Sequence, residues 1–140
     1  YEGGDAWLDE LREHIAAAQR HVVTRLEAVP GVEAAPCEGT YLLWLDCTGL
    51  LAATGLEADE LDDAILKEAG LWLDDGAIFG TGGRGFTRMN VACPRAILDE
   101  ALDRLEAGVT ALLARRALRT GEARTATATA SASAATASAA

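Results

Sequence analysis

The apolar residues of this chain follow two spacings, one typical of helices and one typical of strands. Three stretches repeat apolar residues every three or four positions, which builds one buried face of a helix. These stretches are residues 1–29, residues 58–69 and a third that begins at Pro94. Shorter apolar or alternating runs predict strands, at residues 32–36, 40–45, 71–73 and 86–92. A small sheet covered by helices, an α+β fold, is therefore expected.

Proline, glycine and aspartate residues mark the expected ends of these elements. Asp5 is the expected N-cap of the first helix, and the Pro30-Gly31 pair stops it. Gly70 ends the second helix, and Pro94 takes the first position of the third, where a missing N–H costs nothing. Residues 46–55 are predicted as a loop and residues 74–76 as a turn of the Asp-Asp-Gly type.

The strand at residues 40–45 reads TYLLWL, a continuous apolar run that predicts burial on both of its faces. After Arg116 the composition changes to alanine, threonine and serine, without a core-forming residue, and predicts a disordered tail. We therefore divide the chain into a linker helix at residues 1–30, a small folded domain at residues 31–116 and a tail at residues 117–140.

Composition narrows the classes of partner. A net charge of −10 and a pI near 4.5 disfavour nucleic acid and anionic membrane surfaces, which call for a basic face. No apolar run is long enough to span a bilayer. The three cysteines lie far apart, which fits reduced thiols better than a disulfide framework or a zinc site. A cytoplasmic protein that binds neither nucleic acid, membrane nor metal is expected.

The most informative polar residue is Arg88, in the middle of the last predicted strand. Period-2 alternation places Phe86, Arg88 and Asn90 on one face and residues 87, 89 and 91 on the other. The guanidinium is a rigid fork of donors that suits a carboxylate or a phosphate. An ion pair with one of the many acidic residues is an equally good interpretation of Arg88 from the residues alone.

Other candidate sites are better explained by structure than by chemistry. Residues 80–85 match G-x-G-x-x-G, but the glycines run into a strand instead of opening a helix, so a dinucleotide site is rejected in favour of a glycine loop. His14 and His21 are seven residues apart, not four, and are interpreted as surface or interface residues. Cys37, Cys47 and Cys93 have no activating partner in the sequence.

Four motifs together carry a family resemblance. They are Y-E-G-G-D-x-W-L at residues 1–8, E-G-T-Y-L-x-W-L-D at 38–46, D-G-x-x-F-G at 75–80 and G-F-x-R-x-N-x-A-C-P-R at 85–95. In this order they resemble the C-terminal small domain of pyridoxal-5′-phosphate-dependent C–S lyases of the cystathionine β-lyase type, within the class I/II aminotransferase superfamily. The resemblance covers residues 1–116 and leaves the tail outside.

The resemblance implies roles for several residues. Arg88 would hold the α-carboxylate of the substrate, with Gly39, Tyr41 and Asn90 as further substrate-binding candidates. Residues 75–85 would border the substrate entrance. The Schiff-base lysine and the other pyridoxal-phosphate-binding groups would belong to a large N-terminal domain, and Lys67, the only lysine, matches no such context. This chain would then contain no catalytic and no cofactor-binding residue.

The implied function is that of a portion of a homodimeric enzyme of amino-acid metabolism, inactive alone. The whole enzyme would cleave cystathionine or a cysteine S-conjugate to a thiol, pyruvate and ammonia. Two alternatives stay open: a class I/II aminotransferase that uses the same arginine, and a non-catalytic module that binds carboxylates or partner proteins.

Overall fold

The computed structural model describes the backbone of residues 3–137 and the side chains of residues 3–121. It shows four helices and a four-stranded sheet, which confirms the α+β fold. The helices are α1 (Asp5–Leu26), α2 (Thr48–Thr54), α3 (Leu61–Ala69) and α4 (Arg95–Ala137). The strands are β1 (Glu33–Ala34), β2 (Leu42–Asp46), β3 (Asp74–Asp75) and β4 (Phe86–Asn90). No helix among residues 3–137 is both long and apolar enough to cross a membrane.

The sheet is antiparallel throughout, in the order β1-β2-β4-β3. Leu43 and Leu45 of β2 and Thr87 and Met89 of β4 are buried, whereas the alternate residues of both strands are partly or fully exposed. The alternation predicted for β4 is thus confirmed. The expected burial of both faces of β2 is wrong, because Trp44 on its other face is 42% exposed.

One hydrophobic core joins the inner sheet face to the helices. The α4 stripe predicted from its spacing is buried against it, at Leu98, Leu102, Leu105, Val109 and Leu112. Helix α1 contributes only its second half, through Ala18, Val22 and Leu26, while Trp7 and Leu8 near its start are exposed. Full burial of such aliphatic side chains contributes about 1.5–3 kcal/mol each, so this core is the main stabilising feature of the fold.

Several predicted boundaries are corrected. Gly4, not Asp5, is the N-cap of α1, and the helix ends at Leu26, three residues before the predicted end. The predicted loop at residues 46–55 contains helix α2, whose Leu50 is fully buried. The predicted strand at residues 71–73 is irregular. The strand lies instead at Asp74–Asp75, where a turn was expected, because these residues pair with β4.

Helix α4 extends farther than its apolar stripe. Its backbone stays helical through the Ala/Thr/Ser tract as far as Ala137, where the sequence predicted disorder. Alanine has the highest intrinsic helix propensity, and a helix already nucleated by a packed segment propagates at low cost. Residues 138–140 lie outside the described part of the chain, and the three-part division of the sequence remains a prediction.

Candidate carboxylate-binding site

Arg88 occupies the centre of the open face of the sheet. Trp44 of β2 lies opposite it on one side and Asp74 of β3 on the other. Because the guanidinium projects from a central strand paired on both edges, its Cα has little freedom to move. The Arg88 side chain is 26% exposed, so most of it is covered by neighbours and the rest faces solvent.

The polar neighbour of Arg88 is Asp74. Arg88 Nε donates to Asp74 Oδ2 at 3.1 Å and Nη2 donates to the same oxygen at 2.7 Å. The ion pair that the sequence left as an alternative interpretation is therefore present. Its carboxylate comes from a residue that the sequence assigned to a turn, and no local pattern signals that Asp74 faces Arg88. The register of β3 against β4 brings the two together.

Aromatic rings complete the surroundings of the guanidinium. The ring centroid of Phe79 lies 4.2 Å from Arg88 Cζ, a cation–π contact. Trp44 packs edge-on against Phe79, with ring centroids 5.4 Å apart, and against Phe86 at 6.4 Å. Phe79 belongs to the D-G-x-x-F-G motif of residues 75–80, but its position beside Arg88 depends on how the glycine loop folds back.

The glycine loop, which in the structure extends over residues 76–85, folds through two short 3₁₀ turns and leads into β4. The glycines at 80–85 thus run into a strand, as the sequence predicted. The loop backbone approaches itself so closely that a Cβ on Gly76 would overlap the carbonyl oxygens of Gly83 and Phe86. Asp75 Oδ1 accepts from the N–H of Ala77 at 2.8 Å and starts the first turn. A glycine is thus required at position 76, at the start of the turn that brings Phe79 toward Arg88.

The further substrate-binding candidates make no hydrogen bond to Arg88. Asn90 shares its face, but Asn90 Oδ1 accepts from the N–H of Ala92 at 2.9 Å. Gly39 and Tyr41 line a different concavity, against α1. Tyr41 is 46% exposed, and its carbonyl accepts from Val91 N. Within the described side chains, no hydrogen bond joins any of the three to Arg88, so their roles remain predictions.

A residue that sequence reasoning missed is Gln19, which anchors the loop at residues 37–40. Gln19 Nε2 donates to the carbonyl of Thr40 at 2.8 Å, and Gln19 Oε1 accepts from Cys37 N at 3.0 Å. Gln19 is 4% exposed. Its position in the apolar stripe of α1 is the only sequence signal, since a buried polar group needs a partner.

The edge of the sheet beside Asp74 is acidic. Asp62, Asp63, Asp74 and Asp75 line one groove together with Trp72 and Ile78. Burial raises the pKa of Asp62, and the nearby Asp75 carboxylate raises it further. Asp62 Oδ1 is buried without a hydrogen-bond partner. In the described part of the chain, no group of three or more His, Cys, Asp or Glu residues is arranged to hold a metal ion.

The remaining candidates serve the packing of helices. His21 lies between α1 and α4, with Nε2 2.6 Å from Asp99 Oδ1 and Nδ1 2.6 Å from Arg95 Nη2. Desolvation tends to raise the pKa of Asp99, but hydrogen bonds from His21 and Arg95 outweigh it and lower that pKa. His14 contacts the carbonyl of Cys93 at 3.3 Å. The interpretation of both histidines as surface or interface residues agrees with these positions, since His14 is exposed and His21 is half-buried between the helices.

Comparisons with known proteins identify the family to which this fold belongs. The model of the family "Aminotransferase class I and II" matches residues 2–105, and the chain belongs to that family. Its relatives include proteins named as cystathionine beta-lyases, and the solved structures with the same fold include a C-S lyase. Several of these structures contain pyridoxal 5′-phosphate, the cofactor of the family.

Two relatives illustrate the match. Cystathionine beta-lyase PatB of Bacillus subtilis is 34% identical over 111 residues, which are 79% of this chain and 28% of PatB. The structure of cystalysin from Treponema denticola, which contains pyridoxal 5′-phosphate, superimposes with a TM-score of 0.71 at 34% identity, over 80% of this chain and 28% of cystalysin. Relatives named as aminotransferases match at 25% and 30% identity. This chain thus spans little more than a quarter of such relatives.

The residues present do not fit the cofactor itself. Pyridoxal phosphate enzymes hold it through a lysine, with a charged partner for the pyridine nitrogen. Lys67, the only lysine of the sequence, is exposed in the last turn of α3. Arg88 stands on the open sheet face, where a carboxylate fits its donors.

Proposed function

We propose that this chain is the carboxylate-binding portion of a pyridoxal-phosphate-dependent lyase. The whole enzyme would cleave the C–S bond of cystathionine or a cysteine S-conjugate, consuming water and releasing a thiol, pyruvate and ammonia. The chain alone would be inactive, since the proposal assigns the cofactor and the proton transfers to residues outside it. The similarity to relatives named as cystathionine β-lyases supports the reaction class.

The observation that carries the proposal is the presentation of Arg88. Its guanidinium stands on a rigid strand, is packed on Phe79 and keeps donors unused by its neighbours. Such a fork binds a carboxylate bidentately and fixes its plane. Arg88 would therefore orient an amino-acid substrate without transferring a proton.

The apolar side chains exposed on and beside the open sheet face are consistent with contact to a large partner domain. Trp44 and Phe79 are exposed there, at 42% and 47%. Trp72 and Ile78, which line the groove at the adjoining sheet edge, are 89% and 70% exposed. Large apolar side chains grouped on a surface mark a contact with another protein body. We propose that the cofactor-bearing domain packs on this face, within a cytoplasmic homodimer.

The test replaces Arg88 by lysine or by alanine in the longer enzyme that carries this segment. Lysine keeps the charge but loses the fork, so we expect kcat/KM to fall by about tenfold or more with lysine and further with alanine. An Arg88→Ala enzyme with unchanged kcat/KM would refute the role of Arg88. Arg104→Ala is the matched control, because Arg104 is an exposed arginine of α4 that pairs with Glu100 at 2.6 Å and belongs to neither the glycine loop nor the sheet.

The aminotransferase alternative rests on the relatives that carry that name. The same enzyme preparation distinguishes the two reactions. Release of a thiol and pyruvate from cystathionine without added keto acid supports the lyase. Amino transfer that requires a keto acid, without thiol release, supports the alternative.

A further inference from the structure

We propose that Asp74 is a positioning residue for Arg88: it holds one edge of the guanidinium so that a substrate carboxylate binds on the other. The inference rests on the proposed function of Arg88 and adds a second residue to it. It also states which edge of the fork receives the substrate.

The hydrogen bonds define the edges. Arg88 Nε and Nη2 both donate to Oδ2 of Asp74, at 3.1 and 2.7 Å, so the side-on edge of the guanidinium is taken. The end-on edge consists of Nη1 and the second N–H of Nη2. Among the side chains described, through residue 121, no acceptor contacts that edge. A carboxylate that binds bidentately therefore has one edge available.

The surroundings keep Arg88 in this orientation. Phe79 covers one face of the guanidinium, 4.2 Å from Cζ. Asp74 is placed directly opposite Arg88 by the β3–β4 register, and the hydroxyl of Thr87 donates to the carbonyl of Asp74 at 3.2 Å. The carboxylate is thus fixed by paired backbone and not by a loose loop. One edge and one face of the guanidinium are held before any substrate arrives.

The Asp74 carboxylate does not bind Arg88 in the way expected of a substrate carboxylate. A carboxylate that competed for the fork would use both oxygens in two parallel bonds, whereas Asp74 uses Oδ2 alone. Asp74 is also 49% exposed in its side chain, so its own pairing with Arg88 is screened by water. Asp74 would therefore affect substrate binding mainly by orienting Arg88. Competition between Asp74 and the substrate carboxylate for Arg88 would contradict the proposal.

The experiment uses the longer enzyme that carries this segment and compares Asp74→Ala with Asp74→Asn. Alanine removes the acceptor, so we expect kcat/KM to fall about tenfold, chiefly through KM. Asparagine keeps an acceptor oxygen in place and should remain within about threefold of the unmodified enzyme. Asp63→Ala is the matched control, because it removes a charge from the same groove without touching Arg88, and it should change neither parameter. If Asp74→Ala does not fold, Asp74→Ser, whose short side chain does not reach Arg88, replaces it.

A double substitution separates this inference from the proposed function. With Arg88→Ala already present, Asp74→Ala should have no further effect, since Asp74 acts through Arg88. The ratio of affinities for an amino acid and its carboxamide should also fall in Asp74→Ala, whereas a general loss of structure would weaken both alike. If Arg88→Ala leaves kcat/KM unchanged, the proposed function of Arg88 fails. If Arg88→Ala is impaired but Asp74→Ala binds substrate as well as before, or more tightly, only the role of Asp74 is overturned.

Discussion

The side-chain amide of Gln19 on α1 donates a hydrogen bond to the carbonyl of Thr40, 2.8 Å away, at the start of the segment that leads into β2. Thr40 has a φ of 68°, in the left-handed region that a β-branched residue rarely adopts. The same amide accepts from Cys37 N. One buried side chain thus satisfies both ends of a strained loop, and strain of this kind persists only when its surroundings impose it.

Replacing Gln19 by leucine should destabilise the chain. The Cys37 N–H and the Thr40 carbonyl would lose their partner, and water would replace only part of it in this part-buried loop, so we expect a cost of about 1–2 kcal/mol in the free energy of unfolding. Urea denaturation of the 140-residue chain measures this. Gln19→Glu keeps the acceptor for Cys37 but loses the donor for Thr40. Its free energy of unfolding should lie between those of the original chain and Gln19→Leu. A Gln19→Leu chain as stable as the original would show that the loop does not depend on the amide.

Alanine at Gly76 or Gly83 should disrupt the loop beside Arg88. A Cβ on Gly83 would overlap the carbonyl oxygen of Gly76, and a Cβ on Gly76 would overlap that of Gly83, so the backbone must move in either variant. Overpacking of this kind costs about 1–3 kcal/mol, and it would displace Phe79 from Arg88. Gly82→Ala is the control, since a Cβ there meets no atom within 4 Å. Equal melting temperatures for Gly76→Ala and Gly82→Ala would contradict this packing.

Asp62→Asn should stabilise the chain at neutral pH and not in acid. The folded state raises the pKa of Asp62, mainly through burial, so the folded protein keeps this proton at pH values where the unfolded chain has lost it. Stability therefore falls as pH rises from the ordinary value of 3.8 through the raised pKa, and the full penalty applies above it.

Thermal unfolding across this pH range measures the effect. The melting temperatures of Asp62→Asn and the original chain should converge at low pH and separate toward neutrality. Asp59→Asn removes an exposed charge that is not among those raising the pKa of Asp62, and it provides the control. If the two melting temperatures differed by the same amount at every pH, the ionisation of Asp62 would not be the cause of the difference.

The cysteines should differ in reactivity. Burial, with a smaller contribution from the Asp46 carboxylate, raises the pKa of Cys47 to about 12. Its thiol stays protonated at neutral pH, and the thiolate is the reactive form. Brief alkylation followed by mass spectrometry should label Cys37, which is exposed, and leave Cys47 unmodified. The denatured chain should label at all three positions, and rapid labelling of Cys47 in the folded chain would contradict its burial.

Local pattern determined much of the fold. The period-2 alternation of residues 86–91 correctly sorted the side chains of β4 onto two faces, because side-chain direction in a strand depends only on parity. The spacing of Leu98, Leu102 and Leu105 correctly assigned the core face of α4. Gly70, with a φ of 64°, ends α3 as predicted, because the left-handed conformation at that position favours glycine.

Short elements were not predictable in this way. Helix α2 has seven residues and no side-chain cap, and it forms where the close approach of Gly31 and Gly49 lets the buried Leu50 reach the core. The exposure of Trp44 likewise depends on what covers its face and not on the apolar run in which it lies. A helix this short is marginal without tertiary packing.

The sequence by itself determined the family motifs, the α+β class and the position of Arg88 on the open face of a strand. Only the tertiary structure decided what surrounds that arginine. Asp74 and Asp75 have the composition of a turn, and they form a strand because β4 offers them a free edge. Phe79 reaches the guanidinium because two glycines let the chain fold back on itself. Both contacts join residues far enough apart in sequence that no local periodicity relates them, so the edge of Arg88 that stays open emerged only from the folded chain.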